Sequence, residues 1–214
     1  MNVYFVRHGE SEGNVKSTHQ GENVRLSEGG IKQSQFLAKR LKSKDIKVIY
    51  ASPSLRTKQT AEVISKELRL SVEYWEFLKE RRRPSEIEGL SYDHPKASKI
   101  FEITKENQSK ADWKYSDDES FNDLLNRAKE VEKRLLEHDD GQNILCVSHI
   151  GILIMVILHM ILQDKLSPEV FWQFYYHSRL ENTGISHLAY TKKKRLETVS
   201  VERYLSPVKI NPSG

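Results

Sequence analysis

The sequence predicts an α/β fold, a three-layer α/β/α sandwich with a mainly parallel central sheet. Short apolar runs rich in β-branched residues alternate with longer segments whose apolar residues recur at helical spacing. Strands that alternate with helices in this way pair in parallel, and the helices cover both faces of the sheet. At 214 residues the chain is long enough to bury a substantial core.

The first part of the chain supplies three of the predicted strands. A buried strand is predicted over Asn2–Val6, followed by a helix over Ser27–Lys42 with one apolar face. The next strand covers Lys47–Ala51, and Ser52-Pro53 breaks it and starts another helix. Leu70–Tyr74 completes this set of strands.

One stretch, Ile144–Leu162, is almost long and apolar enough to span a bilayer. It carries polar Ser148 and His149 and a break at Gly151. We therefore predict a buried strand over Asn143–Ser148 followed by a buried helix, and no membrane span.

The pattern changes after Thr183, where two β-rich segments predict a hairpin. Gly184–Tyr190 and Leu196–Tyr204 flank the basic turn Thr191–Arg195. This hairpin adds one antiparallel strand at the edge of the sheet. Its basic tip fits a solvated turn better than a nucleic-acid signal. Ser206–Gly214, with its prolines and glycine, is predicted to be a flexible tail.

A polar, charged segment at about 81–141 is predicted to be a helical insertion over the active site. Its clearest amphipathic helix covers Glu119–Leu136. Insertions at the carboxyl ends of parallel strands commonly cover the pocket and select the ligand. No repeat or linker divides the chain, so we expect residues 1–214 to form a single domain.

Composition excludes several classes of protein. The net charge of +4 is small and scattered, and no nucleic-acid-binding motif is present. The one cysteine, Cys146, gives no disulfide framework. The chain starts almost directly with a strand, without an export signal, so we expect a cytoplasmic protein. Neither nucleic acid nor membrane is an expected partner.

Charged and ionisable side chains follow three of the predicted strands. Arg7 and His8 follow the first strand, Arg56 comes shortly after the second, and His149 follows the fourth. Parallel neighbours bring their carboxyl ends to one edge, so these residues can converge on one basin. Two arginines and two imidazoles would give it a positive field suited to a phosphate dianion. A histidine there can act as a nucleophile.

These residues belong to a longer series of motifs. The motifs, which extend roughly over Val3–Ile185, are Arg7-His8-Gly9-Glu10-Ser11 with Asn14, Gly21 with Leu26-Ser27-Glu28-Gly29-Gly30, Ser52-Pro53 with Arg56, Thr57, Gln59, Thr60 and Ala61, Leu78-Lys79-Glu80, Ile87-Glu88-Gly89, Glu119-Ser120 with Arg127, Ser148-His149-Ile150-Gly151, and Asn182-Thr183-Gly184-Ile185. In order and spacing they resemble the histidine phosphatase superfamily, which includes cofactor-dependent phosphoglycerate mutases and fructose-2,6-bisphosphatases. Asn23 and Arg25 depart from that pattern, because many relatives carry aspartate and proline there.

The resemblance implies a role for each core residue. His8 would be the nucleophile that forms a phosphohistidine, and Arg7, Arg56 and His149 would hold the oxygens of the transferred group. Glu80 would be the general acid and then the general base. Without the resemblance, the residues favour a surface carboxylate paired with Arg81 or Arg82 as the interpretation of Glu80.

Further residues are candidates for substrate binding. By the same resemblance Asn14 and Gly21 would contact the phosphate at the pocket, although both also fit ordinary turn positions. Arg81, in the run Arg81-Arg82-Arg83, is a candidate for binding a second anionic group of the substrate. The alternative is a solvated charge run. We expect no cofactor and no metal, since the histidines show no short ligand spacing.

The leading function is a phosphatase of the histidine acid phosphatase type, acting on a small phosphorylated metabolite such as a sugar phosphate. A cofactor-dependent phosphoglycerate mutase is the alternative, since it shares the first half-reaction. A non-catalytic protein that binds a phosphorylated ligand is the third. The physiological substrate and the oligomeric state stay open, including a homodimer.

Overall fold

The computed structural model defines residues 1–178, 180–190 and 198–202, and six strands in this part of the chain form one mixed sheet. The strands are β1 (Asn2–Arg7), β2 (Val48–Ala51), β3 (Val72–Tyr74), β4 (Asn143–Ser148), β5 (Ile185–Ala189) and β6 (Thr198–Glu202). Their order across the sheet is β3-β2-β4-β1-β5-β6. The strands at the centre are the most apolar ones, which is why β1 and β4 read as continuous buried runs.

Helices connect and cover these strands. The α-helices are α1 (Glu12–Val15), α2 (Glu28–Leu41), α3 (Leu55–Leu68), α4 (Pro95–Asn107), α5 (Phe121–Leu135), α6 (Ile150–Leu162) and α7 (Pro168–His177). Short 3₁₀ turns cover Lys42–Lys44, Glu76–Leu78, Ser85–Ile87 and Gln163–Lys165. Serine side chains accept hydrogen bonds from the first-turn amides of α1, α2, α5 and α7, which satisfies donors that have no partner within the helix.

The predicted α/β class is confirmed, with a difference at one edge of the sheet. Strands β1 to β4 pair in parallel, whereas β5 runs antiparallel to β1. The antiparallel strand was predicted at the edge, but β5 is second from the edge. Its hairpin partner β6 pairs on its outer side and so takes the edge position. The basic turn Thr191–Arg195 and the tail Ser206–Gly214 lie outside the defined residues.

Alternate residues of β1 divide the core into two layers. Val3 and Phe5 face the cluster formed by α5, α6 and α7, whereas Tyr4 and Val6 face the cluster formed by α2 and α3. This alternation follows from the period of two along a strand. The apolar stretch Ile144–Leu162 forms most of β4 and all of α6, as predicted. Among the defined residues, no helix is long and apolar enough to cross a membrane.

The predicted insertion at 81–141 is divided between two environments. Its first part, with α4, forms a small separate cluster through Ile87, Ala97 and Ile100. Helix α5 instead belongs to the main core, because its apolar face, which includes the fully buried Leu124, packs against α6. An amphipathic helix buries its apolar face wherever a matching face is available, and α6 provides it.

The start of α2 packs directly on the backbone that follows β1. A Cβ added to Gly30 would lie 1.9 Å from the carbonyl oxygen of Glu10, and one added to Gly9 would lie 2.5 Å from the carbonyl oxygen of Gly30. Two glycines are therefore needed for this close approach. The contact fixes the loop that carries His8.

We predict that Gly30→Ala destabilises the protein by about 2 kcal/mol or more, because the new methyl group overlaps backbone that cannot move aside. Urea unfolding of the variant measures this. Gly29→Ala is the matched control, since its Cβ would meet side-chain atoms and not backbone, namely Oε1 of Glu10 at 2.9 Å and Oγ of Ser27 at 3.4 Å. Its free energy of unfolding should change by less than about 1 kcal/mol. Equal destabilisation in both variants would contradict the packing argument.

Candidate active site

A cavity of about 600 Å³ opens at the carboxyl ends of the parallel strands. Arg7, His8, Arg56 and Glu80 all line it, although they come from three separate segments of the chain. The convergence follows from the topology, because β1 lies beside β4 and β4 lies beside β2. The structure therefore brings together the residues that follow these strands.

His8 has a defined tautomer in this cavity. Its Nδ1 lies 2.7 Å from the carbonyl oxygen of Gly9. A carbonyl oxygen only accepts, so Nδ1 carries the proton and Nε2 keeps its lone pair. Consistently, the Nε of Arg56 donates to His8 Nε2 at 3.3 Å. His8 is thus a neutral imidazole whose free nitrogen faces a cation.

Electrostatics keeps the two central histidines neutral. Burial, and after it the charges of Arg56 and Arg7, hold the pKa of His8 well below its usual value of 6.5. The pKa of His149 is lowered mainly by burial, and next by Arg56. A neutral imidazole is the form that can attack an electrophile.

Backbone carbonyls orient both arginines. Arg56 donates from one terminal nitrogen to the carbonyl oxygen of Gly21 at 2.7 Å, and Arg7 donates likewise to Leu180 at 2.8 Å. A side chain at Gly21 would overlap the Glu88 carboxylate. The structure thus gives Gly21 a contact with the side chain of Arg56. Burial lowers the pKa of both guanidinium groups, and the nearby Glu80 carboxylate opposes that effect.

His149 lies behind His8 rather than in the wall of the cavity. Its ring is fully buried and meets the His8 ring edge-on, with the centroids 5.2 Å apart. Its Nε2 lies 2.9 Å from the hydroxyl oxygen of Ser52, while its buried Nδ1 has no partner among the defined residues. Ser52 was part of a recognised motif, but its contact with His149 was not predicted.

Glu80 is held by one of its two carboxyl oxygens. Its Oε1 accepts from the backbone amides of Arg81, at 2.8 Å, and Gly151, at 2.9 Å. Gly151 lies in the first turn of α6, where amides have no partner within the helix. The other oxygen, Oε2, has no hydrogen bond to the defined residues. One oxygen therefore fixes the carboxyl group, and the other is available to a ligand in the cavity.

Arg127 of α5 braces the segment that carries Glu80. Its guanidinium donates to the carbonyl oxygens of Lys79, at 2.8 Å, and Glu80, at 3.2 Å, and pairs with the Glu119 carboxylate at 2.7 Å. On the other side, the Ser148 hydroxyl at the end of β4 donates to the Leu78 carbonyl. The position of Glu80 thus depends on both α5 and the sheet.

Asn14 also lines the cavity and helps to fix the His8 loop. Its Oδ1 accepts from the amide and the hydroxyl of Ser11, at 3.1 and 2.9 Å. The Nδ2 of Asn182 donates to the carbonyl oxygen of His8 at 2.9 Å. Asn14 therefore combines a structural contact with a place in the cavity wall.

Arg81, predicted to bind substrate, lines the cavity, but its charge has a partner within the protein. The Arg81 side chain is buried, and its guanidinium pairs with both carboxylate oxygens of Asp118, at 3.0 and 3.2 Å. The guanidinium also lies over the Trp172 ring at 5.2 Å. The charge is already neutralised in the interior, so Arg81 holds its own loop in place. Sequence alone could not show this because Asp118 lies far along the chain.

Sequence reasoning did not single out two other residues of the cavity wall, His19 and Tyr175. The Tyr175 hydroxyl lies 2.6 Å from a terminal nitrogen of Arg83, which donates to it. The His19 ring packs edge-on against Tyr92 at 4.9 Å. No local pattern marked either residue, because an aromatic-rich helix and a single loop histidine both have common structural roles. Among the defined residues, no group of three or more His, Cys, Asp or Glu side chains is placed to hold a metal ion.

Comparison with known proteins gives one family and several similar folds. The model of the histidine phosphatase superfamily (branch 1) matches residues 3–201. A Schizosaccharomyces pombe protein named as a probable phosphatase is 32% identical over 172 residues, which is 77% of this chain and 57% of that protein. The 6-phosphofructo-2-kinase/fructose-2,6-bisphosphatase 4 of Rattus norvegicus is 29% identical over 170 residues, or 78% of this chain and 34% of that protein. The chain thus spans from about a third to just over half of these curated relatives.

Two solved structures show the same fold. The alpha-ribazole phosphatase from Shigella flexneri has a TM-score of 0.78 at 23% identity, with 99% of this chain and all of that chain covered. The phosphoserine phosphatase from Entamoeba histolytica, solved with 3-phosphoglyceric acid, has a TM-score of 0.74 at 22% identity, covering 95% of this chain and 98% of that one. At these identities the likeness establishes the fold.

We predict that His8 carries its proton on Nδ1 at pH 7 and that His8 and His149 take up protons only well below pH 6.5. ¹⁵N NMR of histidine-labelled protein measures both properties. The unfolded chain binds these protons at about pH 6.5, so stability is lost as the pH falls below that value, by about 1.36 kcal/mol per pH unit for each neutral histidine. A His8 ring protonated on Nε2 at pH 7 would contradict the assigned geometry.

Proposed function

The chain belongs to branch 1 of the histidine phosphatase superfamily, and from this membership and the geometry of the cavity we propose that it hydrolyses small phosphomonoesters through a phosphohistidine on His8. One observation carries the proposal. His8 presents an unprotonated Nε2 to Arg56, at 3.3 Å, in a cavity that also contains the Glu80 carboxyl group. A nucleophile, a cationic clamp and a proton donor are the parts that phosphoryl transfer requires.

The first step transfers the phosphoryl group to the protein. The His8 Nε2 lone pair attacks phosphorus, a P–N bond forms, and the bond from phosphorus to the ester oxygen breaks. Glu80 gives its proton to the leaving oxygen, so an alcohol departs and a carboxylate remains. The Nδ1–H bond to the Gly9 carbonyl oxygen, at 2.7 Å, stabilises the positive ring that results.

The second step returns the site to its starting state. Water attacks phosphorus while the Glu80 carboxylate takes a proton from it. The P–N bond breaks, its electron pair returns to Nε2 of His8, and inorganic phosphate leaves. The unpartnered Oε2 of Glu80 is the oxygen suited to both proton transfers.

The cations stabilise charge on the oxygens of the transferred group. Arg56 donates to Nε2 of His8 before the reaction, so phosphate binding transfers this hydrogen bond to a phosphoryl oxygen. Arg7, which also lines the cavity, supplies further donors, and His149 supports the His8 ring from behind, with the ring centroids 5.2 Å apart. Asn14 lines the same cavity and provides its amide. The names of the relatives, a probable phosphatase and a fructose-2,6-bisphosphatase, support water as the acceptor.

We predict that a labelled phosphomonoester labels the wild-type protein on histidine and that His8→Ala abolishes labelling and turnover. A phosphohistidine keeps its label in base and loses it in acid, so the quenched protein is assayed at both extremes of pH. A coupled mutase assay with a bisphosphate primer runs beside phosphate release. Label that survives acid would exclude phosphohistidine, and rapid mutase turnover without phosphate release would replace the phosphatase by a mutase.

We predict that Glu80→Gln lowers turnover of an alkyl phosphate by about 10²–10⁴-fold, because the amide keeps the fixed acceptor oxygen but carries no transferable proton. With p-nitrophenyl phosphate, whose leaving group needs little proton assistance, a burst of nitrophenol should precede slow turnover. Glu86→Gln is the control, since Glu86 pairs with Lys96 at 2.7 Å and does not line the cavity. Equal losses on the two esters, without a burst, would exclude the acid role of Glu80.

A further inference from the structure

We propose that Arg83 and His19 form a second anion-binding site within the same cavity, so that preferred substrates carry a carboxylate or a second phosphate besides the phosphate that is cleaved. This inference rests on the proposed function and specifies the substrate class of that site. Both side chains line the cavity that contains His8 and Glu80. Arg83 thus takes the role that the sequence predicted for Arg81, whose charge is already paired.

The charge of Arg83 lacks an ionic partner in the defined residues. Its side chain is half-buried, and its hydrogen bond goes to the neutral Tyr175 hydroxyl at 2.6 Å. Two other cations of the cavity wall are neutralised, because Arg127 pairs with Glu119, and Lys79 pairs with Glu22 and Glu76 at 2.9 Å. Arg82 is exposed to solvent, and its guanidinium donates to the carbonyl oxygen of Asp117. A partly desolvated charge without a counter-ion binds an anion strongly.

The loop that carries Arg83 is fixed before any ligand binds. The Arg82 amide donates to the Glu119 carboxylate at 2.7 Å, and the Ser85 amide donates to the Asp117 carboxylate at 3.0 Å. Just before them, Arg81 is anchored by its buried pair with Asp118. Because both sides of Arg83 are tied down, little conformational entropy is lost when its guanidinium engages a ligand.

His19 complements Arg83 as a neutral hydrogen-bond donor. Its backbone pairs with Leu90 at 2.9 Å and with Gly89 at 2.8 Å, which sets its place beside the cavity. Burial, and after it the charge of Arg83, lower the pKa of His19 to about 4. The field of Arg83 therefore reaches this ring. A neutral imidazole adds direction to the site without adding a second charge.

Glu80 lies close to both anion sites and lines the same cavity. Arg83 and the His8-facing Arg56 both experience the field of the Glu80 carboxylate. A substrate whose phosphate meets His8 would direct its second anion toward Arg83 and leave the scissile oxygen near Glu80. A volume of about 600 Å³ suits a small metabolite with two charged ends.

Matched substrates test this site. 3-Phosphoglycerate and glycerol 3-phosphate differ in a carboxylate against a hydroxymethyl group, and fructose 1,6-bisphosphate and fructose 6-phosphate differ in a second phosphate. Wild-type kcat/KM should favour the member with the second anionic group in at least one pair by about 10- to 100-fold, the usual effect of a charge-assisted hydrogen bond. The pair that shows the preference identifies carboxylate or phosphate as the second group.

Variants assign the preference to Arg83. Arg83→Met should abolish the preference within that pair while leaving kcat/KM for the member without the second anionic group within about threefold. Arg83→Lys should restore part of it. Tyr175→Phe, which removes a positioning hydroxyl, should reduce the ratio less than Arg83→Met. Arg25→Met is the matched control for the ratio, because its guanidinium is exposed, pairs with Glu12 and does not line the cavity.

Each outcome separates the second site from the proposed function. Phosphate release with equal kcat/KM within both pairs, or equal losses on both members in Arg83→Met, would overturn the second site and leave the phosphatase intact. If the wild type releases no phosphate from any ester, the phosphatase proposal fails. Calorimetric binding of the same pairs to His8→Ala then still tests the second site, which predicts tighter binding of the member with the second anionic group.

Discussion

The hydrogen bond from His8 Nδ1 to the Gly9 carbonyl oxygen is the contact on which the rest of the site depends. It fixes the proton on one ring nitrogen and leaves the other nitrogen facing Arg56. The bond exists because the loop after β1 turns back against α2, where Gly9 and Gly30 allow the two backbones to approach. The packing at Gly9 and Gly30 and the reactivity of the His8 imidazole therefore depend on the same loop conformation.

The order of the strands places the other groups of the site around this imidazole. Because β4 pairs with both β1 and β2, their carboxyl ends deliver His149 and Arg56 to the same edge. Burial then serves two purposes. It lowers the pKa of both histidines, and it strengthens the attraction of the arginines for an anion in a medium of low dielectric constant.

The sequence predicted those features that depend on residues close together in the chain. Alternating apolar segments predicted the strands, and the residues after them predicted which side chains meet, because parallel topology leaves few arrangements. Prediction from sequence failed where the partner of a residue lies far along the chain. Nothing near Arg81 indicates that Asp118 neutralises it, and nothing near Arg83 indicates Tyr175. Likewise, α5 was assigned to the insertion because its apolar face could not be matched to α6 without coordinates.

Arg127 gives α5 an influence on the chemistry that its position in the core does not suggest. One guanidinium spans from this helix to the backbone of Lys79 and Glu80. Loosening of α5 would therefore release the segment that carries Glu80, the proposed proton donor, while β1 and β4 stay paired. The rate of the proposed reaction would then report local unfolding of α5, and on gradual warming it should fall before circular dichroism registers loss of the sheet.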